Sequence, residues 1–407
     1  MSLNTSAHFA FAVTGLHWSG ELNNTTPVPG KELTPEQRPY SRFESGRVGA
    51  GILRRCLAWG SFALIGVRCL ELSTVSAAEV APKFLGSQSC GTTLCHGGAD
   101  EMHNQFVTWS RKDVHTRAPV TLTFTRSARI AEDLGIPPTH ERCTICHDPF
   151  KNIPAERKGS EVGKNETVSC ENCHNAAENW ILTHTRTNLT TQQKINAGLR
   201  GLTNLYVRAN TCIACHQNLD PALRKAGHPE LIFELDGQSR TMPPHWKDEG
   251  RIRGAQAWLV GQAVALREAA AQSASANATD EARQRAAALA WLLGVAAEAK
   301  TADELAQDVA QQNWTEAEVR ARLEKLAATP DSFARDVNVG EAVQRAERLT
   351  LGLERLLVAL NLHTNTNLSP KIGNLFTNVQ SRPEFSSATF AEGLKGFAAE
   401  LNRVPAR

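Results

Sequence analysis

Periodic hydrophobic patterning is concentrated in the last third of the chain. Val343, Ala346, Leu349, Leu353, Leu356, Leu357 and Leu360 recur at steps of three and four, which lays one apolar stripe along a helix. Ala255 to Ala270 and Asp280 to Ala299 read as two more helices, dominated by Ala, Leu, Glu and Arg. Thr301-Ala-Asp-Glu304 and Thr315-Glu-Ala-Glu318 are capping boxes, in which each Thr and Glu satisfy backbone N–H groups at the start of a further helix. Residues 251–407 therefore predict an α-helical bundle of four to six helices, read as a packing or docking domain. Residues 79–250 lack long periodic segments and are broken at Gly97-Gly98, Pro137-Pro138 and Pro243-Pro244. Residues 1–50 are polar, with Pro, Gly and Asn-Thr clusters, and predict loop. Arg54-Arg55, the apolar run Cys56–Val67 and the small residues Ser76-Ala77-Ala78 then form the pattern of a secretory signal peptide near residues 53–78. At 12 residues the run is too short to span a bilayer comfortably. Its place some 50 residues in predicts a translation start near residue 48 and a mature chain beginning near Glu79.

Cysteine changes the picture of the middle segment. Of 10 Cys, 8 lie in four clusters between residues 90 and 216, each followed at once by a histidine. Cys143-Thr-Ile-Cys146-His147, Cys170-Glu-Asn-Cys173-His174 and Cys212-Ile-Ala-Cys215-His216 are C-x-x-C-H, the attachment signature of c-type haem. Cys90-Gly-Thr-Thr-Leu-Cys95-His96 is a widened version. In that chemistry two thiols form thioethers to the vinyl groups and the histidine is held beneath the iron. A structural zinc site or a disulfide framework would also use cysteine pairs, but neither requires a histidine directly after each second cysteine. The expectation is four covalently bound haem c groups, which would supply most of the apolar core of residues 79–250. The expected fold is mainly α: a multihaem cytochrome c domain of short helices and loops around four haems, followed by the bundle.

A six-coordinate iron needs a second axial ligand. Beyond the leader only Met102 and Met242 remain, so four Met-ligated irons are excluded and bis-histidine ligation is expected. Six further histidines lie in the segment: His103, His115, His140, His184, His228 and His245. His140 stands three residues before Cys143 and would need a sharp reversal to reach the opposite face, while His103 sits on the exit from the first cluster. Trp109, Trp180 and Trp246 stand close to histidines, either on porphyrin faces or as ordinary core aromatics. Asp113, Asp148 and Glu171 are candidate acceptors for imidazole N–H, the ordinary role of any one being a solvated surface charge. His363, past a helix end, reads as a surface or capping residue.

Residues 86–247 resemble multihaem cytochromes of the c-554 type. The run Gln105-Phe-Val-Thr-Trp-Ser-Arg-Lys-Asp-Val-His115-Thr-Arg-Ala is similar to their W-x-x-x-x-x-H-x-x-A stretch. Val168-Ser-Cys-Glu-Asn-Cys-His174, with Trp180 and His184 behind it, resembles their V-x-C-E-x-C-H element. Gly227-His228-Pro229, Phe233-Glu-Leu and Pro244-His245-Trp246 look like the closing segment of related tetrahaem proteins. The resemblance implies His115, His184, His228 and His245 as distal ligands, crossed so that each serves a haem attached elsewhere. It also implies electron transfer between respiratory partners, such as a multihaem oxidase or reductase and a membrane quinone-linked cytochrome. The widened first cluster and the helical residues 251–407 depart from the family pattern.

Charge narrows the partners. The net +2 comes from residues 1–78, which hold seven Lys or Arg and five Glu, leaving 37 of each sign in the rest. No basic field for nucleic acid remains, and haem propionates would make the loaded protein anionic. The leading expectation is thus an exported, periplasmic electron carrier with redox-protein partners, the bundle selecting a partner or forming a dimer face; a membrane anchor would follow if the leader were left uncleaved. Two rivals stand beside it. One is an oxidoreductase with an open iron at His96 or His147, acting on a small nitrogen or sulfur compound or peroxide; the other is a haem subunit or gas sensor of a larger respiratory complex.

Overall fold

The computed structural model describes residues 81–164, 166–246, 249–297, 300–333, 338–381 and 384–405. The leader and its signal-peptide pattern lie outside the described residues. Secondary structure in the described residues is helical, without a β-strand; Phe84 and Lys158 form an isolated bridge. Among the described residues no helix is long and apolar enough to cross a membrane.

The first half carries short helices: α1 (Gln105–Lys112), α2 (Thr125–Asp133), α3 (Glu141–His147), α4 (Cys170–His174), α5 (Thr191–Asn196), α6 (Leu205–His216), α7 (Pro221–Lys225) and α8 (Leu235–Thr241). Three of the cysteine clusters end the helices α3, α4 and α6, as expected. The first instead follows a 3-10 turn over Ser87–Cys90 and continues as turns, because two extra residues and Gly91 replace the single helical turn of C-x-x-C-H.

Seven longer helices follow: α9 (Arg251–Ser273), α10 (Asp280–Ala296), α11 (Ala302–Gln311), α12 (Glu316–Ala327), α13 (Val339–Ala359), α14 (Leu368–Gln380) and α15 (Ser387–Leu401). This exceeds the four to six expected, since the apolar spacing resumes after Leu360 in Leu368, Ile372 and Leu375 and again in Phe390, Leu394 and Phe397, all buried. The Thr301 and Thr315 capping boxes are formed, opening α11 and α12. His363 is exposed.

The organising element is α9. Ala255, Ala257, Trp258, Leu259, Val260, Ala263 and Val264 leave no polar face along its middle, and all are buried. It packs against α10, α11, α13, α6 and α8. Where α13 crosses it, a Cβ at Gly352 would stand 2.5 Å from Cζ2 of Trp258, so only glycine permits the approach. Burial on this scale contributes about 2 kcal/mol for each fully enclosed Leu.

The packed interior runs across residue 250. Leu205, Ala209 and Ile213 of α6, together with Phe233 and Leu235, share the core built by α9–α15. A buried ionic group sits at the same junction. Arg355 of α13 places Nε 3.4 Å from Oε2 of Glu234 and Nη1 3.6 Å from Oδ2 of Asp236. Glu234 also caps α8, accepting from the backbone N–H of Asp236 at 3.0 Å and of Gly237 at 2.6 Å. Burial pushes its carboxyl up to about 7, against the pull of Arg355.

Candidate functional site

Each cysteine–histidine segment is held by its own local chemistry. In the first, His96 N–H donates to the Cys90 carbonyl and Gly97 N–H to the Thr92 carbonyl, at 3.1 and 2.9 Å. A Cβ at Gly97 would lie 2.0 Å from the Gly91 carbonyl oxygen, so the loop closes only with glycine there. In the second, the His140 side chain caps α3 by accepting from Arg142 N–H at 3.2 Å, which gives His140 a helix-capping role. The third is stitched to the chain that leads into the first. Glu171 of α4 accepts from the N–H groups of Leu85, Gly86 and Ala177 at 2.9, 2.7 and 2.7 Å, and Glu166 accepts from Ser87 N–H at 3.1 Å. Burial raises the Glu171 carboxyl, opposed by those three backbone donors. In the fourth, the i, i+4, i+8 face of α6 (Leu205, Ala209, Ile213) is buried against α9, which fixes Cys212, Cys215 and His216 relative to the bundle.

The eight cysteines of the described residues form no disulfide with one another. The thiols of Cys90 and Cys170 perturb each other's titration, as do those of Cys146 and Cys215. The Cys90 thiol is lowered by its hydrogen bond with Cys170, whose own thiol is raised by the same contact and by burial. The charges of Cys173 and Cys212 also act on Cys215. Contacts of the Ser87–Cys90 turn with α4 and of α3 with α6 bring the first segment to the third and the second to the fourth.

The imidazoles meet in twos. The rings of His96 and His184 lie 6.1 Å apart, centroid to centroid, with planes at 22°. His115 and His216 are 6.0 Å apart at 84°, and His147 and His228 are 6.4 Å apart at 50°. For His174, burial lowers its pKa to about 4, with repulsion from His245 next in size. His216 is likewise lowered to about 4 by burial, then by His115 and His147. Each of these three pairs joins a histidine of a cysteine segment to one from a distant stretch: His184 comes from the chain after the third segment, His115 from after the first, and His228 from after the fourth.

Behind six of these rings stands an acceptor for Nδ1. They are Gln105 Oε1 for His96 (2.9 Å), Asp113 Oδ1 for His115 (2.9 Å), Thr121 Oγ1 for His147 (2.9 Å), and the carbonyls of Trp180 for His184 (3.3 Å), Pro229 for His228 (2.9 Å) and Pro243 for His245 (3.4 Å). With Nδ1 engaged, Nε2 is the free nitrogen. Of the three carboxylates considered from sequence, none is a solvated surface charge: Asp113, Asp148 and Glu171 are all buried. Asp113 alone of the three bonds an imidazole; Asp148 pairs with Lys151, and Glu171 with backbone. Burial raises the Asp113 carboxyl, but the side-chain and backbone N–H groups of His115 outweigh it and leave it lowered. His103 sits at the surface on Asp100. Trp180 and Trp246 pack edge-on against the rings of His184 and His245, while Trp109 donates its indole N–H to the Val168 carbonyl at 3.2 Å.

Sequence reasoning missed Gln105 and Thr121. Gln105 is nine residues from its ring and Thr121 twenty-six, and neither spacing carries a local signal. Among the described residues no three or more His, Cys, Asp or Glu side chains converge as a metal-ion cluster. No protein-family model matches the chain, and no curated protein or solved structure matches it.

Proposed function

We propose that the chain is a tetrahaem c-type cytochrome that carries electrons between redox proteins. The observation that carries this reading is the spacing of the facing imidazoles. Two axial imidazoles on one iron, with metal–nitrogen bonds of about 2 Å and ring centroids about 1.1 Å behind each nitrogen, stand about 6 Å apart. The three measured pairs, at 6.0, 6.1 and 6.4 Å, fit that value. The donor set fits as well: Cys90 and Cys95, Cys143 and Cys146, Cys170 and Cys173, and Cys212 and Cys215 would anchor the groups. His96, His147, His174 and His216 would be proximal ligands, opposed by His184, His228, His245 and His115.

Haem c would supply one-electron exchange between ferric and ferrous iron. The polypeptide's part is to keep the imidazoles neutral and aimed. Burial holds His174 and His216 well below the ordinary histidine range, so their lone pairs are available at neutral pH. The Nδ1 acceptors fix which nitrogen faces inward. His96 and His147, the candidates for an open site, each face a second imidazole, which supports a carrier over an enzyme. The signal-peptide pattern supports export, where such attachment takes place.

The test is haem content and spin state. Four haems per chain, all low-spin in low-temperature electron paramagnetic resonance, are expected. His228→Ala should convert one of them to a five-coordinate, high-spin form that binds carbon monoxide. A persistent high-spin haem in the unaltered protein that responds to nitrite or hydroxylamine would replace the carrier reading with the enzyme one.

A further inference from the structure

The six imidazole acceptors are not equivalent. Five are neutral: an amide oxygen, a hydroxyl and three backbone carbonyls. The sixth is the Asp113 carboxylate, 3% exposed, whose Oδ1 lies 2.9 Å from both Nδ1 and the backbone N of His115. This double grip is built into the start of the 3-10 stretch Val114–Thr123, where the Asp113 carbonyl also accepts from the Thr116 hydroxyl at 2.7 Å.

Resting on the tetrahaem reading, the geometry points to Asp113 as a positioning residue that makes the iron between His115 and His216 the hardest of the four to reduce. Two effects act in the same direction. A carboxylate on Nδ1 draws the proton and makes Nε2 a stronger donor, which favours ferric over ferrous iron. A buried negative charge near the iron favours the ferric state again, with little water to screen it. Electrons would therefore rest on the other sites before this one.

The facing rings provide a label. Imidazole planes near 84°, as in His115–His216, give a far more anisotropic low-spin ferric signal than planes at 22°, as in His96–His184. The experiment is an anaerobic redox titration of the haem-loaded protein followed by electron paramagnetic resonance, with the signal lost in His115→Ala assigned to this pair. In the unaltered protein that signal should be the last to disappear on reduction. In Asp113→Asn its ferric-to-ferrous ratio at a fixed potential should fall about tenfold, about 59 mV for a one-electron couple, with smaller changes elsewhere. The inference is overturned if the signal is not last, if Asp113→Asn leaves it in place, or if the largest change falls on another haem. Should the variant fail to load haem, the order of reduction in the unaltered protein decides alone. A chain with fewer than four haems, or without low-spin signals, would instead remove the tetrahaem reading beneath it.

Discussion

At the scale of single residues, six of the imidazoles are aimed from behind. Thr121 shows the principle in its simplest form, one hydroxyl on Nδ1 of His147 from a stretch of chain that carries no cysteine. Thr121→Val keeps the shape and removes the acceptor. Loss of such a partner typically weakens metal binding by about 10- to 100-fold. On the proposed reading, the second site should show a raised high-spin fraction in the variant, measurable by electron paramagnetic resonance, while the other three signals hold. His140 shows the converse: its ring caps a helix, and His140→Asn, another good cap, should leave both spin state and haem content unchanged.

At the scale of elements, legibility followed the range of the interaction. Capping boxes and the stripe from Val343 to Leu360 are local, and the helices they announced are present. So are the cysteine clusters, whose spacing needs no partner to be recognised. Which histidine faces which could not be read, because each pairing spans a long stretch of chain. The burial of Asp148 and Glu171 was equally hidden, since their neighbours come from the tertiary fold. The Glu234–Arg355 contact between α8 and α13 is of this long-range kind and makes its own prediction. With its carboxyl raised from 4.5 to about 7, folded Glu234 binds a proton that the unfolded chain has released. The folded state then binds more protons over that window, so stability falls as pH rises from 4.5 through 7. Replacing Glu234 with Gln should flatten the dependence of the thermal midpoint on pH across that window; an unchanged slope would assign it elsewhere.

At the scale of the whole molecule, the bundle and the histidine-rich half share one core. Leu205, Ala209 and Ile213 carry the fourth cysteine segment on one side of α6 and bury themselves against α9 on the other. Removing residues 251–407 should therefore cost more than a docking domain. On the proposed reading, the expected outcome is a chain that loads fewer than four haems and exposes an apolar face, read by haem content and by light scattering. Full loading of the truncated chain would show that α6 stands without its support. Within the bundle, Gly352→Val should destabilise strongly, because the Trp258 ring has no room to retreat.

The pairing of imidazoles also decides what a cut would do. His96 with His184, His115 with His216 and His147 with His228 each place one partner before residue 175 and one after residue 183, as His174 with His245 would on the proposed reading. Every one of the four spans crosses the stretch between, where Leu182 stands 75% exposed. If iron joins each pair, a protease that severs the backbone there divides the polypeptide without releasing either piece. The two fragments would migrate separately on a denaturing gel and as one particle in buffer, rivetted at four points by metal rather than by peptide.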